Sequence, residues 1–164
     1  MTLIALTGVP GSGKSTVCNI LSLMGFDCRS ALSLTGSESC VDGEEVDTEC
    51  LGQLWKINSE SNIVIESHLS QLLPVEYVII LERSPEKIME ILQFRGYPDQ
   101  KISANIDSLL TGVIFYDASE RLPTTRIFTV RSDNLSPYMT AVKVSSIVRD
   151  IFDRKAEKNV KKEF

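Results

Sequence analysis

Several features that mark other protein classes are missing from this 164-residue sequence. No apolar run approaches the roughly 20 residues of a membrane-spanning helix, so we expect no membrane insertion. The N-terminus leads directly into an apolar segment and leaves no room for a signal peptide, which indicates a cytoplasmic protein. The net charge is −5. This acidic balance argues against a protein that coats nucleic acid, and we expect no sequence-specific binding to it.

The sequence also lacks the residue spacings that are typical of zinc sites and of disulfide frameworks. The chain has one histidine, and its four cysteines form no C-x-x-C pair, so no zinc site is predicted. A disulfide framework is not expected in a chain of this size without an export signal. We therefore predict that Cys18, Cys28, Cys40 and Cys50 are reduced thiols, with Cys18 acting as a small apolar residue of a helix.

What the sequence does contain is a phosphate-binding motif close to its N-terminus. Residues 3–7 are apolar and predict a buried strand, and the apolar spacing over residues 17–21 predicts an amphipathic helix. The segment between them has the spacing G-x-x-x-x-G-K-[ST], whose backbone N–H groups and helix N-terminus bind phosphate. Lysine in this motif contacts the β- and γ-phosphates, and its hydroxyl residue binds Mg²⁺. The predicted ATP-binding residues are Gly8, Gly11, Ser12, Gly13, Lys14, Ser15 and Thr16, with Ser15 as a magnesium ligand.

Strand and helix patterns alternate along the rest of the chain. Further strands are predicted at residues 26–28, 63–65, 77–81 and 127–130, and helices at 30–34, 47–57, 84–94, 101–120 and 136–151. Asp47 and Ser84 are the predicted N-caps of two of these helices. This alternation predicts one domain over residues 1–164 with a three-layer α/β P-loop fold and a five-stranded parallel sheet.

Three polar residues follow predicted strands or helices where they could reach bound phosphate. Glu66 ends an apolar strand, as a Walker-B carboxylate does, and is a predicted Mg²⁺ ligand. His68 lies two residues further on and could orient water or accept a proton. Arg95 ends a helix before Gly-Tyr-Pro and could neutralise charge on a transferring phosphoryl group from a short lid. Each also has a plain structural interpretation, as a solvent-facing or helix-terminal side chain.

Two functional classes are compatible with these residues. A kinase needs a second substrate pocket and a lid that excludes water, whereas a switch ATPase needs a residue that positions water and a partner that senses the nucleotide. The predicted lid and the polar stretch 35–46, which could form a flap over a second substrate, favour a kinase. His68 would also serve hydrolysis. A GTPase is disfavoured, because the sequence has no Asn-Lys-x-Asp motif.

Together these motifs resemble the atypical adenylate kinases, the sixth-isoenzyme type of eukaryotic nuclei and archaea, over residues 1–152. The resemblance rests on the P-loop, on Glu66-Ser67-His68, on Leu92-Gln93-Phe94-Arg95-Gly96-Tyr97, and on Lys101-Ile102 with Asn105-Ile106. It implies a nucleoside monophosphate kinase fold, with residues 28–51 as the monophosphate-binding region and 95–105 as the lid.

The same resemblance implies an activity and partners. It implies transfer of the ATP γ-phosphate to AMP or a related monophosphate, accompanied by ATP hydrolysis, with Lys14, Glu66, His68 and Arg95 as catalytic residues and Asn134 near the adenine. It also implies binding to ribosomal protein uS11 during late maturation of the small ribosomal subunit. The alternative is an ATPase assembly factor with little or no kinase activity.

Most departures from the family pattern concern the part of the chain that would bind the monophosphate, the acceptor of the phosphoryl group. Relatives usually have aspartate where Glu66 stands, and they carry charged residues where this chain has Ala31-Leu32-Ser33-Leu34 and an acidic residue where it has Leu109. Arg29 is then the nearest cation in the sequence. These departures leave the donor site unchanged and strengthen the ATPase alternative.

Overall fold

The structure, a computed structural model, describes residues 1–43, 45–58 and 61–160. The acidic residue Glu44 of the predicted flap lies outside the described residues, as do residues 59–60 and 161–164 of the predicted domain. No helix among the described residues has the length and hydropathy needed to cross a bilayer.

Five parallel strands form the central sheet, in the spatial order β2-β5-β1-β6-β7. A separate antiparallel pair, β3 with β4, lies between β2 and the next helix along the chain. The strands are β1 (Leu3–Thr7), β2 (Cys28–Ser30), β3 (Val41–Asp42), β4 (Glu45–Val46), β5 (Ile63–Glu66), β6 (Tyr77–Glu82) and β7 (Ile127–Arg131). The predicted α/β fold with a five-stranded parallel sheet is confirmed.

Helices cover both faces of this sheet. They are α1 (Lys14–Leu23), α2 (Thr48–Asn58), α3 (Pro85–Phe94), α4 (Asp99–Thr111), α5 (Val113–Ser119) and α6 (Pro137–Val160). The two predicted N-caps are confirmed. Asp47 Oδ1 accepts hydrogen bonds of 3.0 Å from the backbone N–H groups of Glu49 and Cys50, and Ser84 Oγ accepts one from the N–H of Lys87.

Alternate residues of each strand serve two separate cores, because successive side chains of a strand point to opposite faces. Leu3 and Ala5 of β1 pack in one core with the fully buried Trp55 of α2. Ile4 and Leu6 pack in the other core, against α1 and α6. Strands covered on both faces consist of continuous apolar residues, which is why β1 and β6 were predictable from the sequence.

Two helix predictions are wrong. The helix predicted over 101–120 is divided into α4 and α5 at Gly112, whose φ of 65° is a left-handed conformation that ends a helix. The short helix predicted over 30–34 is absent from the described residues. The chain turns there instead, and a 3₁₀ helix follows at Ser37–Cys40.

The prediction of four reduced thiols is also wrong. Cys18 of α1 is disulfide-bonded to Cys28 of β2, and Cys40 is bonded to Cys50 in the first turn of α2. Both pairs form because the chain folds back on itself over ten residues. The α1–β2 connection returns the chain to the first helix, and the β3–β4 hairpin returns it to the 3₁₀ helix.

Candidate active site

The phosphate-binding loop connects β1 to α1, and its glycines are required by its geometry. Gly8, Gly11 and Gly13 have φ values of 145°, 87° and 97°, which other residues rarely adopt. A Cβ at Gly8 would lie 2.5 Å from the carbonyl oxygen of Leu81. Lys14 begins α1 immediately after the loop, so the helix N-terminus faces any anion bound there.

The Lys14 ammonium is held inside this loop. Its Nζ donates hydrogen bonds of 2.8 Å and 3.0 Å to the carbonyl oxygens of Gly8 and Val9. Burial lowers the pKa of Lys14 to about 8, the charge of Glu66 opposes this shift, and the charge of Arg95 adds to it. A bound polyphosphate would supply a negatively charged partner, which would stabilise the charged form of this buried ammonium.

A hydroxyl and a carboxylate meet beside the lysine. Ser15 Oγ donates a hydrogen bond of 3.2 Å to Oε1 of Glu66. Glu66 is brought there because β5 pairs with β1, with Glu66 opposite Leu6 in the register. Two hard oxygen ligands that leave most of a coordination shell for water and phosphate suit Mg²⁺. These two residues therefore fit the predicted magnesium site.

His68 and Arg95 complete the same cavity, which has a volume of about 320 Å³. Arg95 ends α3, and Tyr97 of the following turn also lines the cavity, so both reach over the phosphate-binding loop. The pKa of His68 is lowered by burial and by the charge of Lys14, with a smaller opposing effect of Glu66. Its imidazole is therefore neutral at pH 7. The cavity thus gathers every residue predicted to be catalytic: Lys14, Glu66, His68 and Arg95.

A second cavity, of about 610 Å³, lies against the other side of the loop. It shares Gly11, Gly13, Thr16 and Arg95 with the first cavity, and Ser12 lines it as well. It extends between α3 and the start of α6. Through these shared residues, the two cavities border the P-loop from Lys14 to the start of α6.

Arg83 lines this second cavity and was missed in the sequence. Its Nε donates a hydrogen bond of 3.1 Å to Ser132 Oγ, and its Nη1 lies 3.5 Å from the Gly11 carbonyl oxygen that accepts from it. It directly follows β6, the neighbour of β1, at the edge where parallel strands present their carboxyl ends. That position was a usable signal, although no motif spacing marks it.

A small apolar pocket adjoins the catalytic cavity on the α2 side. The two share Leu32, Ser67 and His68. The other residues that line the small pocket are Ala31, Val46, Thr48, Leu51, Leu69 and Leu73. Arg29, the cation nearest in sequence, is not among them. Its Nε and Nη2 donate to the two carboxylate oxygens of Asp27, at 2.6 Å and 2.8 Å.

One predicted nucleotide contact stays a prediction. Asn134 is exposed in the loop between β7 and α6 and is not among the described residues that line either P-loop cavity. Its neighbour Asp133 instead fixes the start of α3, because Asp133 Oδ1 accepts a hydrogen bond of 2.7 Å from the backbone N–H of Ser84.

Comparison with known proteins agrees with this arrangement. The sequence model of a family described as "AAA domain" matches residues 4–112. A protein of Thermoplasma acidophilum named "Putative adenylate kinase" is 36% identical over 152 residues, which cover 93% of this chain and 99% of that protein. A protein of the same name from Archaeoglobus fulgidus is 30% identical and covers 97% of this chain and 88% of its own length. The chain belongs to this adenylate kinase-like family.

Solved structures with the same fold are more distant in sequence. A shikimate kinase from Bacteroides thetaiotaomicron superposes with a TM-score of 0.57 at 12% identity, covering 93% of this chain and 98% of its own. A gluconokinase from Sinorhizobium meliloti superposes with a TM-score of 0.56 at 15% identity, covering 93% and 97%. Likeness at this identity establishes the P-loop fold, and the family assignment rests on the closer relatives.

Proposed function

We propose that this protein is an ATP-dependent nucleoside monophosphate kinase, which transfers the γ-phosphoryl group of ATP to AMP or a related monophosphate. The observation that carries the proposal is the convergence of Lys14, Ser15, Glu66, His68 and Arg95 on one cavity at the carboxyl ends of β1 and β5. The family's relatives named "Putative adenylate kinase" support a monophosphate as the acceptor.

Each group has a distinct task in this proposal. Lys14 would exchange its two carbonyl acceptors for oxygens of the β- and γ-phosphates, which are stronger, charged acceptors. Mg²⁺, when held by Ser15 and Glu66, would neutralise charge on those phosphates. Arg95 would stabilise the charge on the transferring group from the lid. The nucleoside of ATP would extend along Gly13 and Thr16 into the second cavity, towards Arg83.

ATP hydrolysis is the second candidate, and the acceptor side of the cavity favours it. A monophosphate carries two negative charges, yet residues 28–51 contain six carboxylates and only one cation, Arg29. The Arg29 guanidinium is already bound to Asp27. A neutral imidazole at His68 would also suit water as the nucleophile, because water must lose a proton whereas a phosphate oxygen has none to lose.

The ribosomal role and the location are separate proposals. Binding to ribosomal protein uS11 and assistance in small-subunit maturation rest on the resemblance alone, and they accompany the ATPase candidate. A cytoplasmic location stays a prediction from the sequence. Binding of purified uS11 to the full chain, measured with and without ATP, would test the partner directly.

A steady-state assay distinguishes the two candidates. ADP formation would be measured with Mg²⁺ and ATP alone, and then with each nucleoside monophosphate added at the same ATP concentration. We expect AMP or another monophosphate to raise ADP formation well above the ATP-only rate. If no monophosphate does so while inorganic phosphate accumulates, the protein is an ATPase and the kinase proposal is wrong.

Replacing His68 by asparagine should affect hydrolysis and transfer unequally. We expect the ATP-only release of inorganic phosphate to fall roughly 10²-fold or more, as for loss of a general base, and transfer to a monophosphate to fall much less. In the wild-type protein at saturating ATP, the contribution of His68 to the hydrolysis rate should be lost only below pH 6.5, because the lowered pKa keeps His68 neutral above that value. Equal losses of both activities in the variant would show that His68 has no special role in hydrolysis.

A further inference from the structure

The two disulfides bracket the acceptor side of the site. Cys28 begins the region 28–51 and ties β2 to α1, the helix that carries Lys14 at its N-terminus. Cys50 lies near the end of this region and ties α2 to the 3₁₀ helix that ends at Cys40. The cross-links therefore hold the segment that faces the phosphate-binding loop, and they do not involve α3 to α6.

The second disulfide closes the part of the chain that forms the wall of the apolar pocket. Val46 and Thr48 lie within the loop closed by Cys40 and Cys50, Leu51 follows Cys50 directly, and all three line that pocket. Besides the disulfide, the described residues of the hairpin are held by two pairs of strand residues, by one backbone hydrogen bond of 2.8 Å from Asp47 N–H to the Cys40 carbonyl, and by the packing of Val46 against the core. Hairpins this short are marginal without further restraint.

The two disulfides differ in their access to solvent. Cys18 and Cys28 are 5% and 9% exposed and belong to the core between the sheet and α1. Cys40 is also buried, but Cys50 is partly exposed. Thiol–disulfide exchange requires a thiolate to reach one sulfur atom, so we expect attack at Cys50, the more exposed residue of the pair.

We propose that the Cys40–Cys50 disulfide is a reducible site, and that its reduction by a dithiol loosens the β3–β4 wall of the apolar pocket beside the catalytic cavity while the phosphate-binding loop stays intact. A thiolate of the reductant attacks Cys50 Sγ, the Sγ–Sγ bond breaks, and Cys40 leaves as a thiolate that takes up a proton. The second thiol of the reductant then displaces Cys50, which leaves as a thiol. The protein gains two electrons and two protons, and the reductant becomes a cyclic disulfide.

The order of reduction tests the site itself. The full chain, purified under oxidising conditions, would be titrated with dithiothreitol, alkylated with iodoacetamide and digested for mass spectrometry. We expect Cys40 and Cys50 to be alkylated before Cys18 and Cys28. Simultaneous reduction, earlier reduction of Cys18–Cys28, or four free thiols before any reductant is added would each overturn the proposal.

The consequence for the wall is tested by amide hydrogen exchange and by kinetics. Reduction, or the Cys40→Ser/Cys50→Ser variant, should speed exchange of residues 41–51 by at least about tenfold and leave residues 8–16 unchanged. Unchanged exchange at 41–51 would overturn the proposal. The Cys18→Ser/Cys28→Ser variant is the matched control, because its 40–50 loop stays closed and should remain protected until reductant is added.

The kinetic consequence rests on the proposed kinase function. With AMP as the probe, the KM for AMP should rise about tenfold or more on reduction, whereas the Kd for ATP should stay within about twofold. A proportional loss of ATP affinity would contradict a local effect on the wall. If AMP is not an acceptor in either state, the kinase proposal fails, and hydrogen exchange alone decides the redox proposal.

Discussion

Replacing Lys14 by methionine should abolish nearly all ATP-dependent turnover. We expect kcat/KM for ATP to fall about 10²–10³-fold, the range observed when a charged or preorganised donor to developing negative charge is removed. Methionine keeps most of the side-chain volume. The loss of kcat/KM therefore measures the contribution of the ammonium group, which in the free protein donates hydrogen bonds to the carbonyl oxygens of Gly8 and Val9. Steady-state ADP and phosphate formation by the full chain provide the measurement.

The control for this variant is Lys143→Met on α6, an exposed lysine outside both P-loop cavities. The control should keep the wild-type rates, and circular dichroism should show that both variants fold. If Lys14→Met retains more than about a tenth of the wild-type kcat/KM, Lys14 does not contact the reacting phosphates as proposed.

The pH dependence of ATP binding gives a second measure of the same group. In the free protein the pKa of Lys14 is lowered to about 8 by burial, so above pH 8 the neutral amine predominates and ATP binding must take up a proton. Affinity should therefore weaken by up to about tenfold per pH unit above 8. Calorimetry at pH 9 in buffers of different ionisation enthalpy should detect this uptake, and the uptake should disappear in Lys14→Met.

Replacing Arg95 by alanine should give a loss that falls mainly on the chemical step. An arginine that stabilises a transferring phosphoryl group contributes about 10³–10⁵-fold to kcat in related P-loop enzymes, and we expect a loss near 10³-fold here. Arg95 lines the catalytic cavity, and its positive charge contributes to lowering the pKa of Lys14. The Kd for ATP should change much less, by about tenfold at most.

Two further variants make the Arg95 result interpretable. Arg95→Lys keeps the charge but not the planar guanidinium, and it should recover only part of kcat. Arg154→Ala removes an exposed arginine at the opposite, amino end of the strands, beside Tyr77, and should keep the wild-type rate. If Arg95→Ala raises the Kd for ATP and leaves kcat unchanged, Arg95 contributes to ATP binding and does not stabilise the transition state.

The donor half of the site was predictable because its signals are local in sequence. The glycine spacing of the P-loop is needed for backbone conformations that only glycine adopts readily, as at Gly8 and Gly13. Glu66 and His68 could be placed because a continuous apolar strand ends just before them, and parallel strands bring their carboxyl ends to one edge. Arg95 follows from the helix end and the Gly96 after it.

The missed features depend on contacts between distant parts of the chain. Arg83 has no motif, and its place beside Gly11 arises because β6 is the neighbour of β1 in the sheet. The disulfides arise from reversals of the chain between paired cysteines, which spacing alone does not reveal. The break at Gly112 was missed because apolar residues keep their helical spacing across it.

The acceptor is the central question, and the path of a labelled phosphoryl group answers it most directly. In a single turnover, the protein in excess over ATP labelled in its γ-phosphate is mixed with Mg²⁺ and AMP, and the products are separated. A kinase transfers the label to AMP, so most of it should appear in ADP, and Lys14→Met should produce neither labelled product. Release of the label only as inorganic phosphate, at the same rate with and without AMP, would contradict the kinase proposal.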